Sequence, residues 1–485
     1  MDLGILAYGG YLPRRRLPRK EIVETHAWFN PALAGLATGE RTIANWDEDS
    51  VTMAVEAARD CLAELDRQSV AGLYMASTTF PFLDRQNAGI VASALNLGSG
   101  IATLDISSSQ RAGSSGLLCG LRASGGGNGP ILVVAGEKRH TRAASPLELT
   151  TGDGAAALLV GQGDVIARFL GGHTETVDFV DHFRGENEAF DYTWEERWVR
   201  DEGYMKIVPG AIDALLMETG TDPSQITTFC FPAAAKRTAS ALAKALGFAE
   251  SAVADNLQGQ CGETGCAHPL VLLVLALERA APGDKIMVAG FGQGCDALLF
   301  EVTEAISTVR ERLGITGHLA RRREDPRYSR FLALNGGLEM ELGIRAEVDR
   351  QTGLSTHYRN KQMAQGMVGG RCTACGTPQF PKSNICVAPD CGATGTQEDE
   401  PFAEKRATLN SYTADQLTYT PDPPTYFGMV QFDGGGRLMC DFTDIDPDTA
   451  VEVGMPMRMV FRVRDYDRRR GFRRYFWKAS PADGD

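Results

Sequence analysis

The sequence holds 485 residues, 43% hydrophobic and 23% charged, the balance of an ordinary globular protein with room for roughly two to four domains. A formal net charge of −13 argues against a general nucleic-acid binder, whose electrostatic footprint is basic. No apolar run approaches the roughly 20 residues that span a bilayer, and no basic stretch leads into an apolar run at the start, so neither a membrane span nor a secretory signal is expected.

Over the first 300 residues, strand and helix patterns alternate. Apolar runs bounded by turn residues fall at 71–77, 131–135, 155–160, 226–231, 286–290 and 296–302. Between them lie helix-period segments such as 51–65, where Val51, Val55, Ala58, Leu62 and Leu65 share one face behind a capping Asp49 or Ser50. Such alternation predicts α/β layering. The stretch VVAGE…GDGAAALLV at 133–160 recurs as MVAGFGQGCDALLF at 287–300. Each copy reads as strand, Gly-rich turn, strand, which predicts a duplicated fold with halves 1–165 and 166–303. The spacing of Gly292, Gly294 and Ala297 imitates a dinucleotide fingerprint, but that motif opens a helix and this one opens a strand-like run.

Residues 304–370 turn helical and charged and read as a connector, with Arg321–Arg323 expected on a solvated helix face. Next comes Cys372-x2-Cys375, with Cys386 and Cys391 behind it. Two thiolate pairs on two knuckle turns suit a tetrahedral Zn2+ with four sulfur ligands, a structural site with no open position, over residues 371–397. Eleven cysteines with four in metal spacing point to a reducing compartment, the cytoplasm. From 398 to 485 short β-type runs at 408–413, 426–432, 437–442 and 457–463 predict a small barrel. The tail RVRDYDRRRGFRRYFWK interleaves basic and aromatic residues. It is read first as a solvated strand edge, then as a patch for coenzyme A phosphates, and last as a single-strand nucleic-acid binder.

GGRCTACGTPQFP, LNSYT and RLMCDFTDIDPDTAVEVGMPM make the C-terminal part resemble the DUF35 family. That resemblance implies a helical lead, a zinc ribbon and an OB fold that associate with thiolase-like enzymes acting on acyl-CoA. The first 300 residues carry ILAYGGYLPRRRL, DEDSVTMAVEAARD, LDISSSQRAGSSGL, LELTTGDGAAALLVG and AGFGQGCDALLF. Together these resemble the thiolase superfamily, HMG-CoA synthase most and ketoacyl-ACP synthase III more distantly. The resemblance implies a duplicated five-layer α/β/α/β/α fold, a coenzyme A thioester as substrate, and a homodimer.

The same resemblance exposes four changed positions. The family's cysteine nucleophile falls on Gln110, its histidine on Pro232 or Ala233, its asparagine on Glu263 and its glutamate on Thr78. No cysteine is expected within reach, Cys119 being assigned to the core. Gln110 cannot form an acyl-enzyme, but its amide can hold a carbonyl or carboxylate. Glu263 offers a base or, equally, a carboxylate favoured by a helix N-terminus. His268 has a catalytic reading and that of a satisfied core histidine. The insertion DFVDHFRGENEAFDYTWEERWVRDEGY adds His182, Tyr192 and Tyr204 as acid or base candidates, or as parts of a surface cover. The activity expected is aldol- or Claisen-type carbon–carbon bond making or breaking without an acyl-cysteine. Thioester decarboxylation, a scaffold for a separate thiolase-like subunit and, remotely, nucleic-acid binding stand as the alternatives.

Overall fold

The computed structural model describes residues 2–233, 237–309, 312–446 and 450–482. It divides into two units: Met1–Asn45 with Asp49–Val91 and Leu97–Leu338, and Trp46–Glu48 with Ala92–Asn96 and Glu339–Asp485. The unit boundary thus falls inside the stretch read as a connector.

Nine described strands of the first unit form one mixed sheet. In chain order they are β1 (Leu3–Tyr11), β2 (Gly72–Ala76), β3 (Ala102–Ile106), β4 (Ile131–Glu137), β5 (Gly154–Gln162), β6 (Ala167–Thr176), β7 (Thr228–Cys230), β8 (Lys285–Phe291) and β9 (Gly294–Val302). They lie side by side as β7-β8-β9-β6-β1-β5-β4-β2-β3. The seam is a short antiparallel ladder, Gly4↔Arg168 and Ile5↔Ala167. Outward from it, β1-β5-β4-β2 and β6-β9-β8-β7 repeat the same senses, two antiparallel pairings and then a parallel one. The repeated text therefore reflects a duplicated half-sheet, with β3 as an extra edge strand on the first copy. The G-x-G-x-x-A text runs into β9, a strand.

The strands of the half-sheets need cover on both faces, because β4 and β2 are buried along their whole length. Helix α1 (Ser50–Leu62) packs on β1, β5 and β4, and α3 (Ile207–Thr219) on β6, β9 and β8. Between the half-sheets lie α2 (Ala112–Ala123) and α4 (His268–Arg279), each touching strands of both. The layers run α/β/α/β/α. A helix in the middle layer has no wet face, and α4 is buried at every position from His268 to Leu277. Asp49 caps α1 in a reciprocal box with Thr52. The chain leaves α1 at Ala63, whose φ is 39°, so Leu65 lies beyond the helix and is exposed rather than on its apolar face. Arg321–Arg323 likewise follow a helix, Gly314–Ala320, instead of riding on one. Arg323 pairs in a strand with Arg15, and Arg322 binds the Glu40 carboxylate at 2.7 Å.

In the second unit, strands Val368–Cys372, Pro378–Gln379 and Gln397–Pro401 make a three-stranded sheet. Five more strands, β10 (Ala407–Asp415), β11 (Thr425–Phe432), β12 (Arg437–Asp441), β13 (Pro456–Asp467) and β14 (Phe472–Pro481), lie in the order β12-β11-β10-β13-β14. A bridge from Phe442 to Ala479 ties the two outer strands together and closes the small barrel. The basic tail is not a solvated edge throughout. Arg462, Tyr475, Trp477 and Lys478 are buried, Lys478 paired with Asp47 at 2.8 Å and Arg462 with Asp444 at 3.1 Å. Arg464, Arg468 and Arg469 stay exposed. Among the described residues no helix is long and apolar enough to cross a membrane.

Candidate functional site

The site forms where β3 hands over to α2. Ser108 sits at φ 72°, a left-handed kink that turns the chain sharply before the helix, and Gln110 follows it at the helix mouth. The turn between β8 and β9 backs this kink. Ser109 Oγ donates to the Gly292 carbonyl at 2.8 Å. A Cβ on Gly292 would stand 2.6 Å from Ser109 Oγ and 2.9 Å from the Gln110 nitrogen, so only glycine allows the approach. Arg111 pairs with the buried Asp296 at 3.0 Å and fixes the first turn of α2.

Around Gln110 a chain of polar contacts runs across the pocket. Asp181 Oδ2 lies 2.9 Å from His182 Nδ1, so the ring carries a proton on that nitrogen and offers Nε2 as an acceptor when neutral. Gln110 Nε2 stands 3.2 Å from His182 Nε2 and donates to it, and donates a second, longer bond of 3.4 Å to Thr78 Oγ1. Gln110 Oε1 is buried, with no hydrogen-bond partner among the described residues. Thr78 donates onward to Glu137, from its hydroxyl at 3.0 Å and its amide at 3.1 Å, and the hydroxyls of Ser77 and Thr79 reach the same carboxylate.

A second, ionic group adjoins the first. The buried Arg139 donates to Asp191 Oδ2 at 2.7 and 3.0 Å and lies 3.7 Å from Glu263 Oε2. Burial works against ionisation of Asp191, but Arg139 and Arg184 outweigh it and hold its carboxyl below the usual range. Glu263 is anchored by its backbone, its N–H donating to the Thr150 carbonyl at 2.8 Å and its own carbonyl accepting from Gly152 at 2.9 Å. His182 therefore meets Gln110 directly, and Glu263 reaches the same hairpin through Arg139 and Asp191. Tyr204 packs edge-on against Phe231 and Phe291 at 5.4 and 4.8 Å. Burial, then the charges of Asp181 and Glu263, raise its phenol far above the ordinary value, so it stays protonated. Tyr192 is exposed beside Phe183. His268 is fully buried, and both ring nitrogens are occupied. Nε2 lies 3.0 Å from the Asn256 carbonyl, and Nδ1 accepts from the Thr264 amide at 3.1 Å. Burial lowers its pKa, which keeps the ring neutral.

Two cysteine expectations need correction. Cys266 does come within reach of the pocket, hydrogen-bonded to Glu137. Burial first, and then Glu137, push its thiol well above the ordinary value, so it is no thiolate. Cys119 is exposed on α2 rather than packed in the core. Sequence reasoning also passed over Glu137, Arg139, Asp181, Arg184 and Asp191. The signal for the first was a carboxylate closing an otherwise apolar strand, a costly position without partners.

In the second unit the sulfur atoms of Cys372, Cys375, Cys386 and Cys391 lie within 4.8 Å of one another. Four thiolates converging from two turns form a closed, structural zinc site. It is remote in kind from the pocket: no position is left for a reacting group.

The chain is 30% identical over 324 residues to the hydroxymethylglutaryl-CoA synthase of Methanopyrus kandleri, a match spanning 64% of this chain and 90% of that relative. It belongs to the hydroxymethylglutaryl-CoA synthase family. The Aeropyrum pernix member is 30% identical over 343 residues, 69% of this chain and 94% of that one. Residues 216–301 of this family member match the 3-oxoacyl-[acyl-carrier-protein] synthase III C-terminal family. Residues 367–397 match the ChsH2 rubredoxin-like zinc ribbon domain, and 400–462 the ChsH2 C-terminal OB-fold domain. Among solved structures, MvaS in complex with 3-hydroxy-3-methylglutaryl coenzyme A superposes with a TM-score of 0.59 at 18% identity, over 69% of this chain and 91% of that one. Xanthomonas campestris OleA with bound lauric acid and lauroyl-CoA gives 0.55 at 22%, over 62% and 99%. At such identities these two neighbours attest the thiolase-like fold.

Proposed function

We propose that this family member makes or breaks a carbon–carbon bond beside a coenzyme A thioester, by aldol or Claisen chemistry, with no acyl-cysteine intermediate. The observation that carries the reading is the Asp181–His182–Gln110 line at the mouth of α2. In the free protein the amide N–H of Gln110 and the lone pair of His182 Nε2 occupy each other. A thioester entering between them takes both. Its carbonyl oxygen accepts from Gln110 Nε2, and His182 Nε2 removes the proton α to the carbonyl. The electron pair moves onto the oxygen as an enolate, where an aimed donor is worth most. The enolate carbon then adds to a second carbonyl. Where that is a ketone or aldehyde, its oxygen takes the proton back from His182. Where it is a thioester, the adduct expels its coenzyme A thiolate, which takes that proton instead. The reverse sequence breaks the bond. Asp181 holds the imidazole in the tautomer that this requires. Glu263 balances Arg139 at the rim, and Tyr204, protonated, is suited to donating rather than accepting a proton. His268 serves the packing of α4.

A coenzyme A thioester as substrate is supported by family membership and by the relatives' names. Pairing with a second copy is supported by β3, an edge strand of the large sheet that leaves Leu104 46% exposed.

The test is to incubate the zinc-loaded protein with a panel of acyl-CoAs, alone and in pairs, and to follow products by mass spectrometry and binding by calorimetry. A product changed in carbon number, with no mass added to the protein, is the expected outcome. Loss of carbon dioxide alone would make it a thioester decarboxylase. Tight binding without turnover would make it a scaffold, and no binding would overturn the reading.

A further inference from the structure

His182 reaches Gln110 on a very small device. Its strand, His182–Phe183, pairs with only Tyr192–Thr193, and a two-residue ladder cannot hold itself in water. The aromatic side chains of the hairpin's two strands, Phe183 and Tyr192, are more than half exposed, and Phe190 in the loop between them lies partly buried, 5.6 Å from the Arg142 guanidinium. Beside a long backbone bond from the Asp191 N–H to the His140 carbonyl at 3.4 Å, a buried carboxylate fastens it. Asp191, immediately before the second strand, has its side chain 3% exposed and lies under two guanidinium groups. It accepts from Arg139, two residues past the end of β4, at 2.7 and 3.0 Å, and from Arg184 at 2.6 Å. Arg184 in turn donates to the backbone carbonyl of Thr78, the residue whose hydroxyl meets Gln110. The hairpin is thus tied at both flanks, Asp191 to the sheet and Arg184 to the Thr78 turn, with His182 between them.

We propose that Asp191 is a positioning residue, the latch that locks the 182–193 hairpin over the pocket and so delivers His182 Nε2 to the amide of Gln110. The proposal rests on the functional reading above for the role of His182, but the latch itself does not. Removing the Asp191 charge leaves Arg139 and Arg184 facing each other across a buried gap, and the hairpin lifts. Glu263 still neutralises Arg139 from the other side, so the rest of the unit stays folded.

The experiment compares the full chain with Asp191→Asn, Asp191→Glu, Arg184→Gln and the double variant Asp191→Asn/His182→Ala. Amide hydrogen exchange over residues 182–193 and acyl-CoA turnover are both measured. Asp191→Asn and Arg184→Gln should speed exchange in that segment tenfold or more, with peptides of β4 and α2 unchanged. Turnover should fall at least tenfold in kcat and recover in part in Asp191→Glu. Once His182 is alanine, Asp191→Asn should cost nothing further, because it acts through the imidazole. Unchanged exchange in both single variants, or a full additional loss on top of His182→Ala, overturns the proposal. Should the parent protein turn over no acyl-CoA, the catalytic reading falls and exchange alone decides the latch. Should Asp191→Asn lose its fold by circular dichroism, exchange in Arg184→Gln, which cuts only the hairpin side, decides the latch in its place.

Discussion

Gln110 Nε2 and His182 Nε2 stand 3.2 Å apart although 72 residues separate them in the chain. The donor comes from the nine-stranded core, at the kink before α2, and the acceptor from a separate two-stranded hairpin. Replacing His182 by alanine should lower kcat by about 10²–10⁴-fold, the range for a positioned acid–base group, with KM nearly unchanged. Asp181→Asn should lose less, because it frees the tautomer without removing the ring. Steady-state appearance of the product changed in carbon number, followed by mass spectrometry, checks both.

The glycine behind the kink gives a sharper geometric test. In Gly292→Ala the new methyl meets Ser109 Oγ at 2.6 Å and the backbone nitrogens of Gln110 and Arg111 at 2.9 Å, so the turn carrying Gln110 has to shift. We expect turnover to fall at least tenfold while the stability measured by urea unfolding drops by no more than about 1–3 kcal/mol, the usual cost of overpacking. Gly113→Ala, whose methyl would come 2.1 Å from the Cys266 carbonyl, should reverse the balance and destabilise first.

His268 supplies a pH prediction. Burial lowers its folded pKa, while the unfolded chain titrates near the ordinary value of about 6.5. Between those two values the unfolded state binds the extra proton, so stability rises with pH. The folded protein is at full strength above about pH 6.5 and weakens as pH falls below it, until the folded pKa is passed. Urea midpoints at pH 7.5 and 5.5 should differ, and the part of that difference due to this ring should vanish in His268→Gln.

Zinc removal should act on the second unit alone. Four thiolates must be deprotonated and held together, and binding energy at such sites is on the order of 10 kcal/mol of folding energy. Cys386→Ser, or chelation at neutral pH, should release the zinc and open residues 367–401 to trypsin, read by peptide mapping. Circular dichroism of the first-unit helices should not change.

Much of this was legible in the residues. Four cysteines at ribbon spacing pointed to the metal, and the two copies of strand, Gly-rich turn, strand announced the duplication. Gln110 stands out on counting from Asp105 along a motif. What escaped was whatever depends on distant segments meeting. Glu137 looked like the end of a strand, and only the fold shows Thr78, Ser77, Thr79 and Cys266 gathering around it. Asp181, Arg184 and Asp191 were three charges among many in an acidic insertion, with no periodicity to mark them. Strands β1, β3 and β6 carried too many glycines or polar residues to read as apolar runs, and β14 was hidden in a basic tail. His268 stood in a promising motif, and its fate was decided by the Asn256 carbonyl and the Thr264 amide.

The hairpin that carries His182 is pinned by a few side chains and, among the described residues, pairs with no strand of the nine-stranded sheet. Chemistry housed this way is portable. The duplicated scaffold can keep its packing intact while a short cassette is exchanged, lengthened or recoloured with different acids and bases. A scaffold with Gln110 at the α2 mouth would then need no rebuilding of its interior to find new work. Transplanting residues 177–204 into a thiol-bearing cousin would show how much of the trade travels with the cassette.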